Sequence, residues 1–140
     1  MASKYKNKKC EHIFQNETYK FDSLLEKLHA IKLFSMLKQG NISKLILQPE
    51  FQLLEPFTVL TNSTKNGKSR QRAITYIADF SYIKDGKKIV ADSKGIKSPT
   101  YAVKKKMFLS QLEDHGIDEF QELYKSEDII YKRFNQKPWH

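Results

Sequence analysis

A helical pattern of apolar residues follows Ser23. Ser23 suits the N-cap position, Glu26 stands three residues later as in a capping box, and Gly40 supplies a stop. The apolar positions between them recur every three or four residues, as on one face of a helix: Leu24, Leu28, Ile31, and Phe34 or Leu37. We therefore predict a helix between Ser23 and Gly40.

Short apolar segments after this helix predict strands. Residues 42–47 and 51–54 are interrupted by Gln48-Pro49. Because proline cannot donate to a ladder, we expect a strand that is broken or lies at a sheet edge. Residues 61–71 are polar and contain Asn66-Gly67, which indicates a surface loop.

A β-hairpin is predicted around Asp85-Gly86, a strong turn signal. β-Forming residues fill both sides of the turn, at positions 73–83 and 87–94. A two-residue turn would place Asp79 directly across from Asp92, and the strand period of two places Lys94 on the face that Asp92 occupies. A three-residue loop with a bulge would instead shift the register by one and send the two aspartates to different faces.

The rest of the chain completes a mixed fold. A second helix is predicted from near Thr100 toward Gly116, and a last strand over residues 128–134. The order is then helix, three-stranded meander, helix and strand, an α/β (α+β) arrangement, and 140 residues suffice for one core rather than two. We assign the chain to three parts: a basic N-terminal arm (residues 1–20), a single domain (residues 21–135) and a C-terminal tail (residues 136–140).

The net charge of +9 favours a polyanionic partner, because lysine and arginine gain affinity by releasing condensed counterions. Three basic groups are candidate DNA contacts: Lys4, Lys6, Lys8 and Lys9 in the arm, Lys68, Arg70 and Arg72 beside the polar loop, and Lys104, Lys105 and Lys106 on the second helix. A solvated surface is the alternative interpretation of each group.

The sequence gives no sign of a membrane or secreted protein. No apolar run approaches the roughly 20 residues that cross a bilayer, and the lysine-rich start lacks the pattern of a secretion signal. Cys10 is the single cysteine, so no internal disulfide can form. We expect a cytoplasmic protein without membrane contact.

The facing pair of Asp79 and Asp92 predicts a metal site. Like charges repel across a hairpin, and the apolar neighbours raise the cost of desolvation. A divalent cation offsets that cost; Mg²⁺ takes carboxylate, water and phosphate oxygens, and Mn²⁺ is an expected substitute. Lys94 adds a cation that can orient an attacking water or stabilise charge on phosphorus. This set of groups suits phosphodiester hydrolysis.

Two alternatives stay open at this point. Glu26 is either a third carboxylate of the site or simply the partner of Ser23 in a capping box. Asp79 and Asp92 have an ordinary interpretation too, in which each finds a separate lysine or a backbone donor.

Asp79, followed after a hairpin by Asp92-Ser93-Lys94, resembles the signature of the PD-(D/E)xK nuclease superfamily, and Glu26 matches its frequent helical acid. Further stretches resemble a family of small phage and prophage proteins long described only as a domain of unknown function: Ser3-Lys4-Tyr5-Lys6-Asn7-Lys8-Lys9, Phe21-Asp22-Ser23, Leu47-Gln48-Pro49-Glu50-Phe51, Tyr76-Ile77-Ala78-Asp79-Phe80 and Asp92-Ser93-Lys94-Gly95. The resemblance covers roughly residues 3–110.

The resemblance implies a restriction-endonuclease-like core, with a mixed central sheet flanked by helices and residues 21–135 as the nuclease domain. It implies a Mg²⁺-dependent endodeoxyribonuclease in which Glu26, Asp79 and Asp92 hold the metal and Lys94 is the catalytic cation. In size and charge the chain is similar to phage endonuclease-I type resolvases. These act as homodimers on branched DNA such as Holliday junctions, which would place the protein in phage recombination or DNA processing in the host cytoplasm.

The sequence departs from the pattern at two places. Ala78 precedes Asp79 where the superfamily signature has proline, and residues 114–140 match poorly, which puts the expected partner contacts there in doubt. Two other functions therefore remain as alternatives. One is a catalytically silent DNA-binding or host-takeover protein on a nuclease scaffold, and the other is a nuclease for linear or single-stranded DNA.

Overall fold

The fold combines strands and two helices along the described chain. The computed structural model describes residues 10–93 and 98–124. Within these ranges the elements are, in order, β1 (Cys10–Phe14), β2 (Glu17–Phe21), α1 (Leu24–Lys38), β3 (Ser43–Leu47), β4 (Glu50–Leu54), β5 (Phe57–Leu60), β6 (Lys68–Gln71), β7 (Ile74–Ile77), β8 (Phe80–Lys84), β9 (Lys87–Ser93), α2 (Pro99–Ser110) and β10 (Glu119–Leu123). The prediction of a mixed α and β protein is thus confirmed. Neither described helix is long and apolar enough to cross a membrane.

The largest sheet is mixed and has the order β10-β9-β8-β3. Strands β3, β8 and β9 are antiparallel neighbours, whereas β9 and β10 run parallel, so α2 serves as the crossover between them. The β8–β9 register runs from Phe80 opposite Ala91 to Lys84 opposite Lys87. Both residues of the connecting turn, Asp85 and Gly86, have positive φ, as a type I′ turn requires. The predicted two-residue turn and its register are therefore correct.

Apolar residues of β9 alternate between two cores on opposite faces of this sheet. Ile89 and Ala91 pack in one core with Leu33 of α1, and Val90 packs in the other with Phe108 of α2. This alternation follows from the strand period of two. The sheet is consequently covered by α1 on one face and by α2 on the other, and the remaining side chains of β9 point alternately toward these two faces.

A long antiparallel ribbon extends from the sheet. The β3–β8 ladder continues into β4–β7 and then into β5–β6. At the first junction the amide of Gln48 donates to the carbonyl of Asp79 (2.9 Å), and the amide of Ala78 donates to the carbonyl of Pro49 (3.0 Å). The break predicted at Gln48-Pro49 is confirmed, but the single strand predicted over residues 73–83 is wrong, because the chain bends at Ala78 and Asp79.

Helix α1 has the predicted limits but buries a different face. Ser23 is its N-cap and Gln39 its C-cap, with Gly40 at φ +83°. The side chain of Leu24 is 57% exposed, whereas Glu26 and His29 are buried with Ala30, Leu33 and Phe34. Since apolar residues occur around most of the helix, their spacing alone did not identify the buried side.

One prediction is corrected near the start of the chain, and one further strand appears after α2. Residues 10–20 do not continue a basic arm: β1 and β2 form a hairpin whose Phe14 and Tyr19 rings pack on Phe34 of α1. A strand after α2 lies at Glu119–Leu123 and owes its place to pairing with β9, although its sequence has few apolar residues. The predicted strand over residues 128–134, the arm residues 1–9 and the tail 136–140 lie outside the described residues.

The surface loop predicted at residues 61–71 is shorter than expected. Its last residues, Lys68–Gln71, form strand β6 and pair with β5 in register, from Leu60 opposite Lys68 to Phe57 opposite Gln71. Only residues 61–67 connect the two strands. The basic side chains of this region therefore project from a ladder with defined faces.

Candidate active site

Asp79 lies at the bend between β7 and β8, directly beside Asp92 near the end of β9. The amide of Asp79 donates to Oδ1 of Asp92 (2.7 Å), and the amide of Ser93 donates to Oδ2 of Asp79 (2.8 Å). The carboxylate of Asp92 thus accepts from the amide of Asp79, and the carboxylate of Asp79 accepts from the amide of Ser93, the residue after Asp92. We call these two aspartates and their donors the aspartate junction; the structure brings the pair together as the hairpin register predicted.

Two tyrosine hydroxyls complete the aspartate junction. Tyr76 of β7 and Tyr101 of α2 both donate to Oδ2 of Asp92, Tyr101 at 2.6 Å. Asp92 is only 2% exposed, and these charge-assisted bonds offset the cost of burying its carboxylate. Sequence reasoning did not assign either tyrosine to Asp92. The available signal was that an acid within an apolar strand needs nearby donors.

The tyrosines at the aspartate junction stay protonated. Burial raises the pKa of Tyr76 above its ordinary value, and the negative charge and hydrogen bonding of Asp92 raise it further. The pKa of Tyr101 is raised by the same causes in the same order. Since both groups stay protonated, both remain hydrogen-bond donors to Oδ2 of Asp92.

The aspartate junction offers oxygen ligands that fit Mg²⁺. A carboxylate has about four acceptor positions, and protein donors occupy two at Oδ2 of Asp92 and one at Oδ1. Oδ1 therefore keeps acceptor capacity beside Asp79. Mg²⁺ is commonly bound through one or two carboxylates with water completing its shell. Within residues 10–93 and 98–124, however, no three His, Cys, Asp or Glu side chains cluster closely enough to hold a metal ion.

Glu26 lies in the layer of α1 rather than in that of Asp92. Consecutive strand residues point to opposite faces, and Ser93 accordingly contacts α1, with its Oγ 2.5 Å from Nδ1 of His29. Glu26 is 6% exposed and borders a cavity of about 420 Å³ with Tyr19, Phe34 and other residues. Its amide donates to Oγ of Ser23 (3.1 Å), so this half of the capping box is confirmed. Its role as a third ligand remains a prediction.

The predicted basic residues lie in different surroundings. Lys68, Arg70 and Arg72 are exposed on and beside β6. On α2, Lys105 forms an ion pair with Glu122 and lies 5.7 Å from the centre of the Tyr101 ring. Lys104 borders a cavity of about 250 Å³ with Tyr76 and Tyr101, and Lys106 is exposed. The catalytic candidate Lys94 and the arm residues Lys4, Lys6, Lys8 and Lys9 lie outside the described residues.

Comparison with known proteins gives a family but no activity. The model of DUF1064, described as a protein of unknown function, matches residues 2–129. No curated protein matches the chain. The match includes all the described residues, and the function has to be argued from the site.

Proposed function

We propose that the chain, which belongs to the DUF1064 family of proteins of unknown function, is a Mg²⁺-dependent endonuclease that hydrolyses phosphodiester bonds in DNA. The observation that carries the proposal is the aspartate junction. Two carboxylates meet at a strand bend in a basic protein, and Asp92 is followed by Ser93 and Lys94 in the order of a D…DxK nuclease signature. Asp79 and Asp92 supply hard oxygen ligands, and the net charge of +9 suits a polyanionic substrate.

Each residue of the site has a distinct role in this proposal. Asp79 and Asp92 would hold Mg²⁺, or Mn²⁺ in its place; Glu26, which lies in the layer of α1, stays a third ligand predicted from the sequence alone. Bound there, the cation would polarise the phosphate and lower the pKa of water. Tyr76 and Tyr101 donate to Oδ2 of Asp92 and fix the orientation of its carboxylate. Lys94, two residues after Asp92 in the sequence, would supply an ammonium group where negative charge develops.

We further propose a restriction-endonuclease-like arrangement for the core. The support is the antiparallel set β3, β8 and β9, extended by the parallel β10 and covered by α1 and α2 on opposite faces. The proposed substrate is branched DNA such as a Holliday junction. Cutting two strands in a coordinated way requires two active sites, so we also propose a homodimer, which light scattering of the purified protein would test.

A cleavage panel tests the nuclease proposal. Four-way junctions, flaps, duplexes and single strands are incubated at one salt concentration with Mg²⁺ or Mn²⁺, since electrostatic affinity varies steeply with salt. We expect Asp79→Asn and Lys94→Ala each to lower the cutting rate by at least about 10²-fold while DNA binding persists. Asp114→Asn, the same chemical change at an exposed acid, should cut normally. If linear or single-stranded DNA is cut faster than branched DNA, the proposed substrate is wrong, whereas the proposed hydrolysis of phosphodiester bonds still holds.

Metal binding provides a readout besides activity. Calorimetric titration with Mn²⁺ should give binding to the wild type, and Asp79→Asn should weaken it. Wild-type cutting by Asp79→Asn or by Lys94→Ala would show that the assigned site is wrong.

A catalytically silent DNA-binding protein on the same scaffold is the second candidate. It is favoured by the two tyrosine hydroxyls already bound to Oδ2 of Asp92 and by the lack of a three-ligand cluster among the described residues. A silent scaffold would bind DNA but would give the same Mn²⁺ titration with wild type and Asp79→Asn. The titration therefore separates the two candidates.

A further inference from the structure

The β5–β6 hairpin projects from the end of the ribbon. All four residues of β5 are exposed, and so are three of the four residues of β6. We call β5, β6 and the connecting residues 61–67 the tip hairpin. An exposed two-stranded ribbon of this kind gains little from packing on its own protein, which leaves both of its faces accessible to a partner.

Its two faces differ in charge. Directly opposed residues of an antiparallel pair share a face. One face therefore carries Lys68 and Arg70 with Leu60 and Thr58, and the other carries the uncharged set Phe57, Val59, Ser69 and Gln71. Lys65 in the connection and Arg72 after β6 add to the positive charge, against the single acid Glu55 in residues 55–72.

The connection at the tip is ordered by its own hydrogen bonds. The amide of Thr61 donates to the carbonyl of Gly67 (2.9 Å), and Gly67 has the positive φ of +76° that glycine tolerates. The Asn66 side chain accepts from the amide of Lys68 (3.0 Å), and the hydroxyl of Thr64 donates to the Lys68 carbonyl (2.7 Å). The strand that bears Lys68 is therefore held in place before any partner binds, which lowers the entropic cost of binding.

We propose that the tip hairpin is a ribbon arm that binds duplex DNA through its Lys68 and Arg70 face. This inference rests on the proposed DNA-cutting function for the identity of the polyanion. A two-stranded β-ribbon fits the major groove of B-DNA. Lys68 and Arg70 lie about 7 Å apart along the strand, equal to two base-pair rises of about 3.4 Å. The basic face has no aromatic ring, whereas proteins that grip single strands stack bases on aromatic side chains.

The ribbon also sets how far from the cut the arm can reach. Lys68, the farther of the two basic residues, precedes Asp79 by eleven positions, and eleven residues of strand span at most about 37 Å. At about 3.4 Å per base pair, the arm lies within about eleven base pairs of the scissile bond along the duplex. The arm thus extends the site along the duplex without taking part in the chemistry.

Salt-dependent binding tests the arm. Anisotropy of a labelled duplex of about 30 base pairs is measured over a KCl series, with full-length Asp79→Asn protein and no divalent metal. Each lost phosphate contact lowers the slope of log K against log salt by about 0.9, so Lys68→Ala with Arg70→Ala should reduce it by about 2. Hydroxyl-radical footprinting should show protection retreating toward the cutting site.

Matched variants keep the test independent of folding and of total charge. Lys68→Arg with Arg70→Lys preserves both charges and should keep the slope. Lys38→Ala with Lys87→Ala removes two exposed charges outside the tip hairpin and should leave the slope nearly unchanged. Thermal melts of each variant establish that it folds.

Four outcomes would overturn the inference. An unchanged slope of log K against log salt in Lys68→Ala with Arg70→Ala would show that the hairpin does not bind DNA. An equal decrease of the slope in Lys38→Ala with Lys87→Ala would show that only total charge matters. A loss seen with single strands but not with duplex assigns a different ligand. A change from dimer to monomer in Lys68→Ala with Arg70→Ala, which would explain a lower slope by dissociation, makes the hairpin an interface between copies rather than a DNA-binding arm. None of these outcomes bears on cutting, so the nuclease proposal fails or stands on its own assay.

Discussion

The aspartate junction and the tip hairpin lie on one continuous ribbon but are stabilised in opposite ways. At the junction, Asp92 is 2% exposed and accepts three hydrogen bonds from the protein. At the tip, the side chain of Leu60 is 82% exposed and the ordering bonds are local. This contrast predicts that substitutions at the junction lower the stability of the fold more than substitutions at the tip do.

Asp92→Ala should give the largest stability effect that this contrast predicts. It removes the acceptor to which the hydroxyls of Tyr76 and Tyr101 and the amide of Asp79 donate, and a donor left unsatisfied in a buried position costs about 1–3 kcal/mol. We expect the free energy of unfolding in urea to fall by about 3 kcal/mol or more. Arg70→Ala at the tip should change it by less than about 0.5 kcal/mol.

Asp92→Asn serves as the control because it keeps one side-chain oxygen as an acceptor at nearly the same volume. It should be intermediate in stability and still fail to cut. Similar free energies of unfolding for Asp92→Ala and Arg70→Ala would show that the junction does not stabilise the fold.

Tyr76→Phe should give the next largest effect at neutral pH. It removes one hydrogen bond to a charged acceptor while the ring keeps its packing on Phe108, so we expect a loss of about 1.5–3 kcal/mol in the free energy of unfolding. Tyr82→Phe is the matched control in the same ribbon, since Tyr82 is 3% exposed and lies opposite Ile89, three residues before Asp92 on β9. It should cost much less than Tyr76→Phe at pH 7.

Tyr82 also predicts a dependence on pH. Burial raises its pKa above the ordinary value of about 10, and the charge of Glu119 adds to the shift. Its contribution is fully present below pH 10 and is lost at higher pH, because unfolded Tyr82 ionises while the folded form stays protonated. Between pH 9 and 11, the free energy of unfolding in urea should decline less steeply in Tyr82→Phe than in the wild type, by up to about 1.4 kcal/mol per pH unit. Parallel declines would contradict this.

Much of the fold could be predicted where local residues decide it. Ser23 and Gly40 bracket α1, and Asp85-Gly86 fixes the β8–β9 register through backbone conformations that few residues adopt. The buried face of α1 and the position of β10 could not be predicted, because both depend on what packs against them. Strand β10 carries Glu119, Gln121 and Glu122 and is a strand only beside β9.

The candidate site divides in the same way. The proximity of Asp79 and Asp92 could be predicted, because a two-residue turn fixes which residues of a hairpin face each other. Their hydrogen bonds place them side by side. Tyr76 and Tyr101 reach Asp92 from β7 and from the first turn of α2, two elements that are distant from each other in the sequence. No spacing rule encodes such a contact, so the donors appear only in the folded chain.

Phe57→Ser combined with Val59→Ser should lower stability less than the substitutions at the aspartate junction. Phe57 is 42% and Val59 39% exposed on the uncharged face of the tip hairpin, so only part of their apolar surface is removed from water in the folded protein. We expect a loss of about 1 kcal/mol by urea denaturation, whereas Phe108→Ala, at a ring with no exposed surface, should cost about 3–5 kcal/mol. A large loss from the tip pair would mean that another part of the protein covers that face.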